Sequence, residues 1–300
     1  MILPPTDLVG AALSMIGAFF VSIESILVRK STVKGSITEL IGTILFVNVI
    51  IWSLASFFSY YPNFDINLEA FLAFSLSGIF GFFIGYFLLF VSIKRVGASR
   101  TLPLIRSQVI VALFLSIFFL QESLTPYHIA GIFIILIGTV FVSREMSDGD
   151  SYIKGNKIRN LLLPIFAGVS WGLNWFFSKL GLLQGIPVVL GLTVSSIMAL
   201  VSFSIFRGIN EKKLPTPKIN SPNFIWFFAI GIMCALAFFM NFLALSISRV
   251  MVVSPIWQIT PLFVLLLSHI FLPKLEKVTL KLIIGSLLIV GGAIIVIIFM

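Results

Sequence analysis

Few of this chain's ionisable side chains fall inside apolar runs, and those few are where chemistry can sit. A charge among apolar neighbours is costly and is kept there mainly for function. Glu24 lies near the end of the first apolar run. There it can act as a proton carrier, or it can pair with Arg29 or Lys30. Arg106 lies deeper, in the fourth run and just past Pro103. A guanidinium does not escape burial by losing its proton, so it needs a carboxylate, carbonyls or water beside it. It can clamp an anionic group on a substrate, or pair with Glu24 or backbone. Lys179 closes the sixth run, where it either reaches toward lipid headgroups or joins Glu24 as a proton-coupling group. His269 reads as an interfacial imidazole, and Glu122 and Glu276 as caps or braces for the helices that follow them. Trp171, Asn174 and Ser178 follow i, i+3, i+7 spacing and share one helix face. Asn241, Trp257, Gln258 and Thr260 add polar and aromatic groups two runs later and beyond. Such groups line a substrate cavity or bond helix to helix. Pro103, Pro255 and Pro261 break their runs, and freed carbonyls must then face protein or a cavity.

Several chemistries are excluded by what is missing. The chain has no GxxxxGK[ST] phosphate loop, no HExxH, no acid-rich metal motif and no cluster of nucleophile, base and orienter. Its one cysteine, Cys234, sits inside an apolar run, which removes disulfides and cysteine metal sites. The expectation is a protein with no cofactor, no metal and no enzymatic activity.

These residues must be positioned by elements that live in lipid. Charged residues make up 10% of the 300-residue chain and hydrophobic ones 59%, with a mean hydropathy of +1.15. Soluble chains carry roughly 25% charged residues, so this chain is too poor in charge to face water. Its net charge of +9 resides in short loops, where it sets membrane orientation and does not mark a nucleic-acid partner. The first run has no basic region before it and is long enough to span, so it reads as a retained helix rather than a signal peptide.

Crossing about 30 Å of hydrocarbon takes roughly 20 residues of helix. On that basis ten spans are expected, at 8–28, 38–58, 69–92, 99–120, 126–143, 159–180, 186–206, 222–247, 251–272 and 279–299. The polar stretch 144–158 divides the chain into a first five-helix repeat, 1–143, and a second, 159–300. Glu122, Gly131 and Gly138 recur as Glu276, Gly285 and Gly292 at an offset of 154. The same offset carries Ser92-Ile93 onto Ser246-Ile247 and Arg95-Val96 onto Arg249-Val250. An odd number of crossings makes the second repeat enter from the opposite face. The fold class is therefore all-α integral membrane, ten transmembrane helices as two inverted five-helix repeats around a central cavity. Inverted repeats are the layout of many secondary transporters, whose site lies between the halves.

Of the 20 Lys and Arg, all but Arg106, Lys179 and Arg249 fall in or beside the loops after spans one, three, five, seven and nine. The positive-inside rule puts those loops in the cytoplasm and both termini outside.

Trp171-Gly172-Leu173-Asn174 with Lys179 is similar to the W-G-x-N-x-x-x-x-K opening of a known family. Gly17 and Glu24 stand at the corresponding places of the first half. A Glu followed by a Gly-x(6)-Gly helix occurs twice, as Glu122, Gly131, Gly138 and as Glu276, Gly285, Gly292. In order and spacing these motifs resemble the drug/metabolite transporter superfamily, specifically ten-helix EamA-type transporters, over nearly the whole chain. The resemblance implies a compact bundle with a cavity between halves, and exchange or proton-coupled movement of small metabolites. It also implies cytoplasmic termini, opposite to the charge distribution. The expected protein is a secondary active transporter of small polar metabolites such as amino acids, an exporter or exchanger working by alternating access in the cell membrane. It would be a monomer or weak homodimer with a small-molecule substrate and a proton or exchange solute as partners. A multidrug or sugar-phosphate carrier of the same fold, or a channel, is the alternative.

Overall fold

The computed structural model describes residues 5–31, 36–96, 101, 104–145, 157–212, 217, 221–271 and 280–299. Among them all regular structure is helical. The helices are α1 (Pro5–Ser31), α2 (Ile37–Tyr60), α3, α4 (Gln108–Leu120), α5 (Pro126–Glu145), α6 (Lys157–Leu182), α7 (Val188–Glu211), α8 (Phe224–Ile247), α9 (Val250–Trp257), α10 (Thr260–Phe271) and α11 (Leu280–Ile298). Helix α3 begins as Leu68–Ser77, widens into a π segment over Gly78–Gly85 and resumes over Tyr86–Val96.

Local chemistry sets the ends. The Asn67 side chain accepts a hydrogen bond from the Ala70 N–H at 2.8 Å and starts α3. Gln121 takes the left-handed conformation that ends α4, as Lys212 does after α7. Gly185, at φ +76°, provides the same turn between α6 and α7, where a side chain would be strained.

By length and composition, six segments among the described residues can cross a membrane: Thr6–Val28, Ile37–Tyr60, Leu68–Ile93, Val188–Asn210, Phe224–Ile247 and Val250–Leu267. Three shorter apolar helices are Gln108–Leu120, Pro126–Phe141 and Ile283–Val296. The expected spans overlap α1 to α8, the α9–α10 pair and α11 among the described residues, and six of these have the length and composition of a crossing. Burial is inside out relative to a soluble protein: Phe58, Leu68, Ile209 and Leu287 are exposed, while Asp7, Asn48, Asn174 and Gln258 are buried. Lipid is the solvent this surface fits.

One core cluster joins α2, α3, α6, α7 and α8 through Ile41, Phe74, Trp175, Phe203 and Phe242. A second gathers Val109, Ile135, Val252, Ile256 and Ile289 of α4, α5, α9 and α11. In the second, α5 and α11 meet backbone to backbone. A Cβ on Gly131 would stand 2.9 Å from the Gly292 carbonyl oxygen, and one on Gly138 would stand 2.7 Å from that of Gly285. The repeated Gly-x(6)-Gly is therefore a packing seam. Its pairing rises along one helix as it falls along the other, so α5 and α11 are antiparallel.

The halves are opposed at α1 and α6 too. Asp7, in the first turn of α1, accepts a hydrogen bond from Ser248 Oγ. Lys179, in the last turns of α6, donates to the Ser248 carbonyl at 2.7 Å. The start of α1 and the end of α6 therefore share one face of the bundle.

Candidate functional site

Glu24 is buried inside the bundle. Helix α1 continues past it to Ser31, and its buried side chain turns into the bundle. Its Oε1 accepts a hydrogen bond from the Tyr86 hydroxyl at 3.0 Å, and that hydroxyl also lies 3.3 Å from Cys234 Sγ of α8. The other oxygen, Oε2, has no partner. The Tyr86 ring meets Trp171 of α6 edge-on, at 5.1 Å between centroids, and Trp171 stacks on Phe238 of α8 at 5.9 Å. The carboxyl is thus linked, through Tyr86 of its own half, to a thiol and two rings of the second. The expected partners Arg29 and Lys30 have side chains outside the described residues.

Arg106 lies at a second junction. The chain turns at Arg106-Ser107 before α4, and turns again at Gln258-Ile259 between α9 and α10. The two interruptions touch: Arg106 Nη1 donates to Gln258 Oε1 at 2.8 Å. Gln108 Nε2 donates to the same oxygen at 3.4 Å, and Thr139 Oγ1 donates to the Gln258 carbonyl at 3.4 Å. Among the described residues no carboxylate pairs with Arg106, and its Nε–H has no partner. The expected pairing with Glu24 does not occur. Helix α1 meets the same break through another residue: Ser22 donates to the Thr260 carbonyl at 3.1 Å. The proline reading holds in part. Pro255 lies inside α9 and Pro261 in the first turn of α10, and the break falls between them; Pro103 lies outside the described residues.

The remaining polar candidates divide by role. Trp257 is half-buried, sits edge-on to Trp175 at 5.5 Å, and covers Gly17 of α1. Thr260 Oγ1 donates to the Trp257 carbonyl at 2.6 Å and closes the turn. Asn241 is buried on α8 with Oδ1 unpartnered. Asn174 and Ser178 are turned toward α3. Asn174 Nδ2 donates to the Ser77 carbonyl at 3.0 Å, and the Ser178 and Ser77 hydroxyls are 2.7 Å apart. These two residues fasten α6 to the start of the π segment, whose Gly81 and Gly85 admit Asn174 and Trp171. π segments widen a helix and recur at functional sites.

Two further expectations are corrected. Lys179 does not reach the headgroups; its buried Nζ donates to the Leu245 and Ser248 carbonyls, both at 2.7 Å. A cation there satisfies the otherwise unpaired carbonyls at the end of α8. Glu122 does not brace the helix after it. Both its oxygens accept backbone N–H groups of the other half, Val250 at 2.9 Å and Met251 at 3.0 Å, capping α9. Glu276 lies outside the described residues, as does the side chain of His269. Sequence reasoning missed Asp7, which pairs with Arg249 at 2.7 Å, and Tyr86, whose ring carries no periodic signature in an aromatic-rich run.

Long apolar helices, buried polar groups between repeated halves and an apolar exterior together define a multi-pass helical membrane protein. A sequence model of the EamA-like transporter family matches residues 8–144 and again residues 158–298. The chain belongs to that family, within the drug/metabolite transporter superfamily. Solved structures match it as well. One, described only as the crystal structure of a protein, has a TM-score of 0.75 at 17% identity, over 98% of this chain and 97% of its own. At that identity the likeness shows the fold alone. No curated protein sequence matches the chain.

Proposed function

We propose that this protein is a secondary active transporter in the cell membrane that exports or exchanges small polar metabolites bearing a carboxylate, such as amino acids, by alternating access. The observation that carries the reading is Arg106. A guanidinium at the meeting point of two broken helices, bonded to the neutral Gln258 amide, keeps one N–H and its charge for a ligand. Binding energy at such a point is available to an anion because the protein supplies no carboxylate of its own among the described residues. Glu24 bears the coupling proton, and Trp171 and Trp257 enclose the cargo. The protein works as a monomer or weak homodimer. On the charge distribution of its loops, both termini lie outside the cell, although family resemblance implies the reverse.

Counterflow in proteoliposomes tests this. Vesicles preloaded with an unlabelled amino-acid mixture should take up labelled amino acid faster than empty ones. Arg106→Ala should reduce that uptake roughly tenfold or more, the worth of a hydrogen bond to a charged group. Unchanged uptake in Arg106→Ala rejects the clamp. Acceleration only by sugar phosphates or lipophilic cations changes the cargo, and single-channel currents without counterflow identify a pore.

A further inference from the structure

Between the start of α3 and the end of α6 the outer surface opens into a groove of about 270 Å³. Glu69, Leu72, Ala73 and Leu76 line it from α3 at i, i+3, i+4, i+7, one face of that helix. Phe177 and Gln184, two turns apart on α6, line the other side. The two helices run antiparallel here. Asn67 Nδ2 donates to Gln184 Oε1 at 3.4 Å beside one end, and the Ser77 and Ser178 hydroxyls are 2.7 Å apart beside the other. Ala73, small and buried, makes the floor, while Leu72 and Leu76 stand exposed as walls. From Glu69 to Leu76 the groove runs about 10 Å, at a rise of about 1.5 Å per residue. That is some two-thirds of one leaflet in a hydrocarbon core about 30 Å thick. Pockets for whole small molecules start at roughly 300 Å³; a shallow slot of this size and length suits a stretch of chain.

The polar end of the groove is acidic. Glu69 is exposed, and among the described residues nothing pairs with its carboxylate. Residues 61–68 before it carry Asp65 and no Lys or Arg, and residues 183–187 beyond α6 carry no charge at all. Lys179, the cation in the last turns of α6, is turned into the bundle toward the Leu245 and Ser248 carbonyls. Gln184 uses its Oε1 on Asn67, and its amide N–H groups have no acceptor among the described residues. Lipid tails are as apolar as leucine, so a chain gains little by leaving lipid for a groove. Selection among lipids therefore falls to the headgroup. A carboxylate beside amide N–H groups calls for an N–H cation with an anionic oxygen next to it. Phosphatidylethanolamine carries both. The ammonium of phosphatidylcholine has no N–H, and phosphatidylglycerol has no cation.

We infer that this groove is a binding site for a phosphatidylethanolamine of the bilayer, with one acyl chain laid over Ala73, the ammonium on Glu69 and the phosphate on the Gln184 amide. The residues involved are separate from Arg106 and Glu24, so the inference does not depend on what the protein transports.

Native mass spectrometry tests this. Purified protein is released from detergent micelles holding equal amounts of dioleoyl phosphatidylethanolamine, phosphatidylcholine and phosphatidylglycerol, and the lipids that stay bound are counted. The ethanolamine lipid should be retained about two- to fivefold over the choline lipid, the range of an exposed ion pair, with the glycerol lipid retained least. Glu69→Gln, which in detergent without lipid should melt close to wild type, should retain the ethanolamine and choline lipids equally. Ala73→Phe should do the same, because it fills the floor of the groove and leaves the carboxylate in place. Asp65→Asn removes an acid of the same face that does not line the groove, and should keep the preference. Equal retention of the two lipids by the wild-type protein overturns the inference. So does a preference that survives Glu69→Gln or Ala73→Phe, or one that Asp65→Asn removes as fully, which would make it a property of the charged face and not of the groove. If Ala73→Phe does not fold, the Glu69 and Asp65 variants still decide the outcome.

Discussion

Replacing Glu122 by Gln should loosen a junction between the two halves without touching any residue of the proposed site. The carboxylate accepts the Val250 and Met251 N–H groups at 2.9 and 3.0 Å, and these are among the donors an N-terminus leaves unpaired. Gln keeps the shape but turns one acceptor into an NH2 that confronts an N–H. A hydrogen bond to a charged group contributes about 1.5–3 kcal/mol, and the charge at a helix N-terminus about 0.3–1 kcal/mol more. Glu122 is half-buried, so solvent recovers part of this and about 2 kcal/mol is the expected net cost. At roughly 2–4 °C per kcal/mol for domains of about 150–250 residues, and toward the low end for a chain of 300, the melting temperature in detergent should fall by about 4 °C. The control is Glu69→Gln, an exposed acid in the first turn of α3, which should shift it by about 1–2 °C or less. If Glu122→Gln melts no lower than that control, the cap does not stabilise α9. Because α9 ends beside Gln258, counterflow should also slow in Glu122→Gln.

Two further outcomes are expected. Gly138→Val should cost about 1–3 kcal/mol by forcing α5 from the Gly285 carbonyl, whereas Gly208→Val, which meets nothing within 4 Å on α7, should melt within a degree or two of wild type; equal melting of the two variants would sink the seam argument. A periplasmic-type phosphatase fused after Met300 should be active if both termini lie outside, and a fluorescent protein fused there should glow only if they lie in the cytoplasm.

The helices and their repeat were legible because lipid imposes one rule on every residue of a span, and glycine spacing survives as a pattern; that the repeated glycines pack against each other was not. Arg106 and Gln258 were legible singly, as polar residues where none is tolerated without cause, but not as a pair, since they are far apart in sequence. Glu24 was legible as an ionisable residue inside a span, with two readings open; its partner Tyr86, 62 positions away, was not. Asn174 and Ser178 share a helix face, as their spacing dictates, but spacing does not say whether that face meets a cavity or another helix. The Ser77 carbonyl decides it for Asn174. Neither reading of Lys179 foresaw its acceptors, because the free carbonyls that hold it arise only where α8 ends.

The α5–α11 seam carries a consequence for how such a chain came about. Gly131 meets Gly292 and Gly138 meets Gly285, while the repeat equates Gly131 with Gly285 and Gly138 with Gly292. Each contact is therefore the twofold image of the other, the isologous pattern of a symmetric dimer. A single half would carry a surface whose complement is a second copy of itself inserted the other way up. Within one chain the two halves no longer need separate copies to insert in opposite orientations, and they need not stay identical: Glu24 stands in one where Lys179 stands in the other.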